Sequence, residues 1–412
     1  MTATVHPDTD LDDLLGDEAI NHSARYYARL RETHPVLWNA RWKGWIVTGY
    51  DAVTTGYRDA ERLSSDRFSG PFGAELRNAA SSSEQLLGFL SKFFVWKDPP
   101  YHTRARALVN RAFVPRNVEG MRTHIRQLVE ELAAPLRGGQ TVDFLSRFAY
   151  TLPVIVISEF LGVGSEARDD VRAWSEDLGA VIFVKSHDDG KLKRAEAAMR
   201  NLADLVRPIV RARIASPQND VLSALAQPDE NGERLSEEEI IANAALMVFA
   251  GHETTMNLLA NGIVAFHQFP DQWELLRQNP EHARTATEEI LRFDGPIRGL
   301  GRWAKTSFEF FGQQITEGDR VFLVQHAANR DPAAFKDPDR LDITRWPNRH
   351  AAFGQGIHTC LGASLARMEV QEALTHLASL CSSIEVATPK LEYNATMVSR
   401  SLKRLDVKFH DA

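Results

Sequence analysis

The stretch from Ser236 to Pro270 constrains the fold more than any other, because it reads as one unbroken helix. Ser236 and Glu239 make the Ser-x-x-Glu pattern of a capping box, which satisfies free N–H groups at a helix start, and no proline intervenes before Pro270. At about 1.5 Å of rise per residue, about 33 residues span roughly 50 Å, enough to cross the whole molecule. The other elements must pack around such a rod. Its middle, Ala250-Gly251-His252-Glu253-Thr254-Thr255, is built from poor helix formers, the glycine costing up to about 1 kcal/mol relative to alanine. A cost at that point suggests a purpose. Small residues leave a groove where a ligand can reach the backbone, and a hydroxyl beside a carboxylate can hold and deliver protons. The competing reading is close helix packing at Ala250 and Gly251, with Glu253 facing solvent.

From about residue 50 to 290 the pattern is mainly helical, with ends marked by Pro99, Pro100, Pro115, Pro153, Pro208, Pro228, Pro270 and Pro280. Ser23 to Glu32 reads as a short helix. Val36-Leu37-Trp38 and Trp45 to Thr48 are β-rich runs separated by Asn39 to Gly44, which predicts a hairpin. Phe308 to Val324 reads as strands and turns, 216–220 and 227–233 as loops, and 330–350 as a long loop that must nonetheless pack. The expected architecture is mainly α with small β-sheets, a single domain over 21–412 after a flexible lead-in at 1–20. A composition of 43% apolar and 25% charged residues suits a soluble globular protein with a sizeable core. The net charge of −7 gives no reason to expect nucleic acid or an anionic membrane as partner. The stretch from Met1 to Leu15 is polar and acidic, unlike a signal peptide, and no apolar run approaches the roughly 20 residues that span a bilayer. The expectation is a cytoplasmic protein, with Cys360 and Cys381 as unbridged thiols.

Phe353 to Gly362, reading Phe-Gly-Gln-Gly-Ile-His-Thr-Cys-Leu-Gly, holds one of the two cysteines. Leu361, Leu365, Met368, Leu374 and Leu377 recur at helical spacing behind it, so Cys360 lies where a loop enters a helix, a setting that favours the thiolate. Gly354, Gly356 and Gly362 permit positive φ or close approach to a flat ligand. A lone cysteine is otherwise a small buried hydrophobe. Here Phe353 is followed by Gly356 three residues on, His358 five on, Cys360 seven on and Gly362 nine on. In that spacing the loop resembles the cysteine loop of the cytochrome P450 family. The resemblance implies that Cys360 is the axial ligand of haem b (iron protoporphyrin IX), with the surrounding loop residues against the porphyrin.

Other segments carry the same resemblance, in family order. Ala250 to Thr254 is similar to the family's oxygen-activation motif, which implies that Ala250 and Gly251 adjoin the haem and that Glu253 and Thr254 are the acid and alcohol supplying protons for dioxygen cleavage. His252 occupies a variable position and is expected to pack or hydrogen bond. Glu289 and Arg292, three apart on one helix face, read alone as a solvated ion pair. They resemble the family's structural Glu-x-x-Arg pair, with a third partner at Arg340 or Arg345. Asp98-Pro99-Pro100-Tyr101-His102 to Arg106 starts a helix with two donors on one face. By resemblance His102 and Arg106, together with Arg302 and His358, grip the haem propionates.

Arg298 is the candidate for substrate choice. Its position is usually apolar in the family, and a buried guanidinium would call for an anionic or carbonyl-bearing substrate unless it turns to a backbone carbonyl or Asp294. Phe249 and Val398 are further candidate substrate contacts, and residues near 89–95, 178–184 and 397–398 are expected pocket walls by family topology. Arg104, Arg106, Arg111 and Arg116 form an acid-free basic run that could steer an acidic redox partner. The function the resemblance implies is a monooxygenase that hydroxylates a C–H bond of a small hydrophobic substrate, with electrons from a separate ferredoxin or flavodoxin and its reductase. A peroxide-driven peroxygenase and a non-catalytic haem sensor are the alternatives.

Overall fold

The long helix runs over Glu237–Gln268 in a computed structural model that describes residues 4–5, 11–79, 84–164, 166–182, 189–218 and 220–411. The capping box forms as expected. Ser236 N and Oγ donate to Glu239 Oε2 at 2.8 and 2.9 Å, and Glu239 N donates back to Ser236 Oγ at 3.3 Å. Three glutamates in the first turn add charge of the favourable sign. Pro270 then opens the next helix, Pro270–Gln278.

The chain divides into two compact units, one of residues 1–64, 123–152 and 254–412, the other of 65–122 and 153–253. The division falls inside the long helix, between Glu253 and Thr254.

All strands among the described residues belong to the first unit. The predicted hairpin pairs Val36 with Val47 and Trp38 with Trp45, and it lies in a six-stranded sheet that also takes Arg320–Leu323 and Leu300–Ala304. Side chains alternate between two apolar clusters. Val36, Trp45, Val47, Val321 and Leu323 meet Val53 and Tyr57 on one face, while Leu37, Ile46 and Phe322 meet Tyr27 and Leu30 on the other. The lead-in expected to be slack is packed from Leu11 onward: Leu14, Ala19 and Ile20 are buried, because an apolar stripe there completes the second cluster. The loop at 330–350 is nailed down by the acid and arginine network described below.

The second unit is helical throughout its described residues. Pro208, expected to end a helix, instead sits inside Asp189–Ala215, where its ring lies on the solvent side and only one backbone bond is forfeited.

Candidate functional site

In the cysteine loop Cys360 N donates to the Phe353 carbonyl at 2.9 Å, closing the turn. Gly354 and Gly356 take φ of +64° and +72°, and a Cβ on Gly356 would lie 2.7 Å from the Tyr57 carbonyl oxygen, so geometry and space both demand glycine. A Cβ on Gly362 would meet nothing within 4 Å, so its small size answers no crowding from the protein itself. Cys360 is exposed, whereas Cys381 is buried in a strand and burial pushes its thiol up to about 12. Only Cys360 presents a usable sulfur, three residues ahead of the helix Ala363–Leu380.

A brace that the motif reading missed supports this loop. The Arg367 guanidinium lies 4.4 Å from the Phe353 ring centre and bonds Glu288 at 2.6 and 2.8 Å, and His350 Nε2 meets the same carboxylate at 3.0 Å. Burial pushes the Glu288 carboxyl up, but Arg367 and His350 outweigh it and hold the group at about 2. The signal was one residue from a motif already singled out, since Glu288 precedes Glu289.

Glu289 and Arg292 are fully buried and paired through two bonds of 2.8 Å. Arg292 also donates to the carbonyls of Asn329, Pro338 and Arg340. Glu289 further accepts from Asp342 N, Arg345 Nε and Asn348 Nδ2. The third partner is therefore Arg345, while the Arg340 side chain reaches toward Asp271. Arg302, on the strand Leu300–Ala304 of the same unit, is buried, with Nη1 on the Gly301 carbonyl. His358 closes the short turn Gly356–His358.

In the second unit His102 and Arg106 share a face of the helix Tyr101–Asn110 and both approach the Phe94 ring. Burial lowers His102 to about 4, and Arg106 adds to the effect, so the imidazole is neutral near pH 7. Asp98 accepts from Ser65 N, and its carbonyl caps the helix at His102 N.

Mid-way along the long helix the residues separate by role. Ile241 through Phe249 are all buried, yet Ala250 is exposed and Gly251, Glu253 and Thr254 are only partly buried. Loss of hydration raises the Glu253 carboxyl to about 7. His252 Nδ1 lies 2.7 Å from the Val248 carbonyl and burial lowers the ring to about 4, so it is a neutral donor to its own helix. A Cβ on Gly251 would sit 2.8 Å from Ile157 Cγ1. The groove expected at Gly251 is thus filled by a neighbouring helix, which leaves Ala250 as the exposed small residue.

Arg298 takes the backbone-carbonyl alternative weighed for it in the sequence. It is buried, its guanidinium donating to the carbonyls of Thr396 and Ala19 and to the Tyr27 hydroxyl at 2.9 Å. Protein oxygens engage both Nη groups while Nε is buried without a hydrogen-bond partner, and Asp294 is engaged instead by Arg400 at 2.9 Å. Val398 contributes its carbonyl to Arg298 N at 2.7 Å. Phe249 is buried against Gly179. In the expected wall at 89–95, Asn243 of the long helix binds Phe94 N and the Lys92 carbonyl, fixing that segment. Part of the wall at 178–184, residues 183 and 184, lies outside the described residues. In the basic run Arg104 is tied to Glu239 and Arg111 reaches the Gln227 carbonyl, with Arg111 and Arg116 both exposed.

An accessible thiol on a glycine turn, beside a buried glutamate and arginine brace, defines a haem-thiolate protein. The chain belongs to the cytochrome P450 family, whose model matches residues 70–409. It is 35% identical over 401 residues to the polyketide biosynthesis cytochrome P450 PksS of Bacillus subtilis, covering 95% of this chain and 97% of that one. It is 37% identical over 388 residues to the vitamin D(3) 25-hydroxylase of Pseudonocardia autotrophica, with 92% of each covered. The crystal structure of P450BioI in complex with an acyl carrier protein ligated to hexadec-9Z-enoic acid superposes with a TM-score of 0.86, at 32% identity over 96% of this chain and 100% of that one. The protein is accordingly a P450 monooxygenase, an oxidoreductase that binds haem b. No helix among the described residues is long and apolar enough to cross a membrane.

Proposed function

We propose that the chain hydroxylates a C–H bond of a hydrophobic substrate, taking electrons from a separate ferredoxin or flavodoxin system. The observation that carries this reading is the Cys360 loop, an exposed thiol on a turn where Gly354 and Gly356 take positive φ. Cys360 would hold the haem through its thiolate, and the bound group would supply reductive activation of dioxygen assisted by electron donation from the sulfur. The residues of the chain hold, orient and protonate. His102, Arg106, Arg302 and His358 are four donors for two propionates. Phe353, Gly354, Gly356 and Gly362 shape the sulfur side.

Glu253, near half-protonated at neutral pH, accepts a proton and passes it to the Thr254 hydroxyl beside it. The same pair argues against a peroxygenase, which needs no such delivery. With Arg298 bound to protein oxygens, the expected substrate is recognised by apolar contact at residues such as Phe249, not by an anion. Two tests apply. Reduced, carbon monoxide-treated protein should show the absorption band of thiolate-ligated haem, and Cys360→His should lose it. Turnover should require a ferredoxin system and fall with peroxide alone; efficient peroxide turnover without electron donors would overturn the reading. Free and carrier-linked acyl chains both belong in the substrate screen, given the likeness to the acyl carrier complex.

A further inference from the structure

A polar cavity of about 290 Å³ lies within the first unit and shares no residue with the groups assigned to haem or oxygen. Two arginines and a histidine that line it are each at least nine-tenths buried. Arg330 uses Nε on the Phe293 carbonyl at 2.7 Å and Nη1 on Asp339 at 2.9 Å. Arg400 uses Nε on Asp294 at 2.9 Å and Nη1 on the Ile20 carbonyl at 2.7 Å. Neither Nη2 makes such a bond among the described residues.

His326 completes the set. Its Nε2 meets Ser23 Oγ at 3.1 Å, while Nδ1 is buried without a hydrogen-bond partner, 3.8 Å from Asp294 Oδ1. A buried polar atom left unbonded is destabilising, so a hydrogen-bonding partner at this point repays the deficit. The local field favours an anion: burial lowers His326 to about 3, and Arg400, Arg330 and Arg298 push the same way with only Asp294 opposing.

We propose that this cavity binds a small organic monocarboxylate. Its oxygens take Arg330 Nη2, Arg400 Nη2 and the His326 Nδ1–H, and its apolar remainder lies against Phe269 and Phe293. Ser23 Oγ and His326 Nε2 are in hydrogen-bond contact, and the proposed complex uses the tautomer in which Ser23 donates and Nδ1 carries the proton. Arg330–Asp339 and Arg400–Asp294 are each neutral as pairs, and the charge left over is that of the nearby buried Arg298, which is bonded only to neutral oxygens, so a single carboxylate balances the group where phosphate would overfill it. The cavity also touches the catalytic scaffold, because Asn261 of the long helix donates to the Asp294 and Arg400 carbonyls at 3.0 and 3.1 Å.

The probe is benzoate, titrated into the holoenzyme by calorimetry with the haem absorption recorded alongside, against benzamide and inorganic phosphate. Saturable benzoate binding is expected with no change in the haem spectrum, and neither comparison compound should match it. Ala24→Trp, which fills the cavity from a half-buried lining position, should weaken benzoate by about tenfold or more. Gln268→Glu, which adds a like charge at an exposed lining residue, should weaken it several-fold and keeps the test decisive if the tryptophan variant fails to fold. No saturable heat, equal binding of benzamide, binding that shifts the haem band, or binding unmoved in both variants would each overturn the proposal.

Discussion

Glu289 and Glu253 are two acids buried in opposite ways. Glu289 has no exposed surface and receives Arg292, Arg345, Asn348 and the Asp342 amide around one carboxylate. Glu253 has burial alone acting on it, and that raises its carboxyl to about 7. Partners around a buried charge make it structural; their absence makes it a proton carrier. The chain keeps both kinds within 40 residues, one on the helix Ala283–Asp294 and the other at the centre of Glu237–Gln268.

The largest effect should come from breaking the satisfied acid. Arg292→Leu strands Glu289 and frees the carbonyls of Asn329, Pro338 and Arg340, which anchor the 330–350 loop ahead of the cysteine. Removing one member of a buried pair costs roughly 3–5 kcal/mol, a large share of a typical stability of about 5–15 kcal/mol. The variant should express without the thiolate band in the carbon monoxide spectrum, and urea unfolding should show the loss. A variant with full haem content and an unmoved midpoint would mean that Glu289 and Glu253 do not differ as argued.

Glu253→Gln inverts the pattern: little harm to the fold and much to turnover. Donor-supported kcat should fall about 100-fold or more, with substrate binding unchanged, since a positioned proton carrier contributes on that scale. Stability should move the other way with pH. Below about 4.5 the carboxyl is protonated whether the chain is folded or not, so Glu253 adds no pH dependence there. Between 4.5 and about 7 the unfolded chain ionises while the folded one holds its proton, so wild-type stability falls as pH rises and levels off above 7. The difference amounts to about 3 kcal/mol at most. Urea midpoints of wild type and Glu253→Gln at pH 5 and pH 8 should therefore separate at the higher pH. Parallel curves would remove the distinction between the two acids.

How much of this was legible in the residues depended on whether the partner lay in the same pattern. Hairpin pairing from Val36 to Val47, the Ser236 and Glu239 capping box, and the spacing of Glu289 and Arg292 are local, and local signals were readable. Arg345 could not be told from Arg340, because only the path of an aperiodic loop decides which reaches Glu289. Arg298 stood open between a substrate role and a turn to a backbone carbonyl for a related reason. Its acceptors are mostly backbone carbonyls, at Thr396 and Ala19, and a carbonyl leaves no mark on sequence. Leu14 and Ala19 looked like slack chain because the cluster they complete is built from segments as distant as Phe322 and Val324.

Gly251 tests whether the weak centre of the long helix serves chemistry at every position or at Glu253 alone. Alanine there would gain up to about 1 kcal/mol of helix propensity but would drive its methyl to 2.8 Å from Ile157 Cγ1 and 3.3 Å from Ile157 Cβ. The Cβ contact cannot be relieved by a rotamer change, so overpacking at roughly 1–3 kcal/mol should win, and Gly251→Ala should be destabilised by about 1–2 kcal/mol net. In an Ile157→Gly background all three Ile157 contacts disappear, and the same glycine substitution should become stabilising. That change of sign is specific to packing. If Gly251→Ala were instead neutral in urea but impaired haem retention or dioxygen use, the glycine would belong with Glu253 as a concession to function, and the division of labour within this one turn would have to be redrawn.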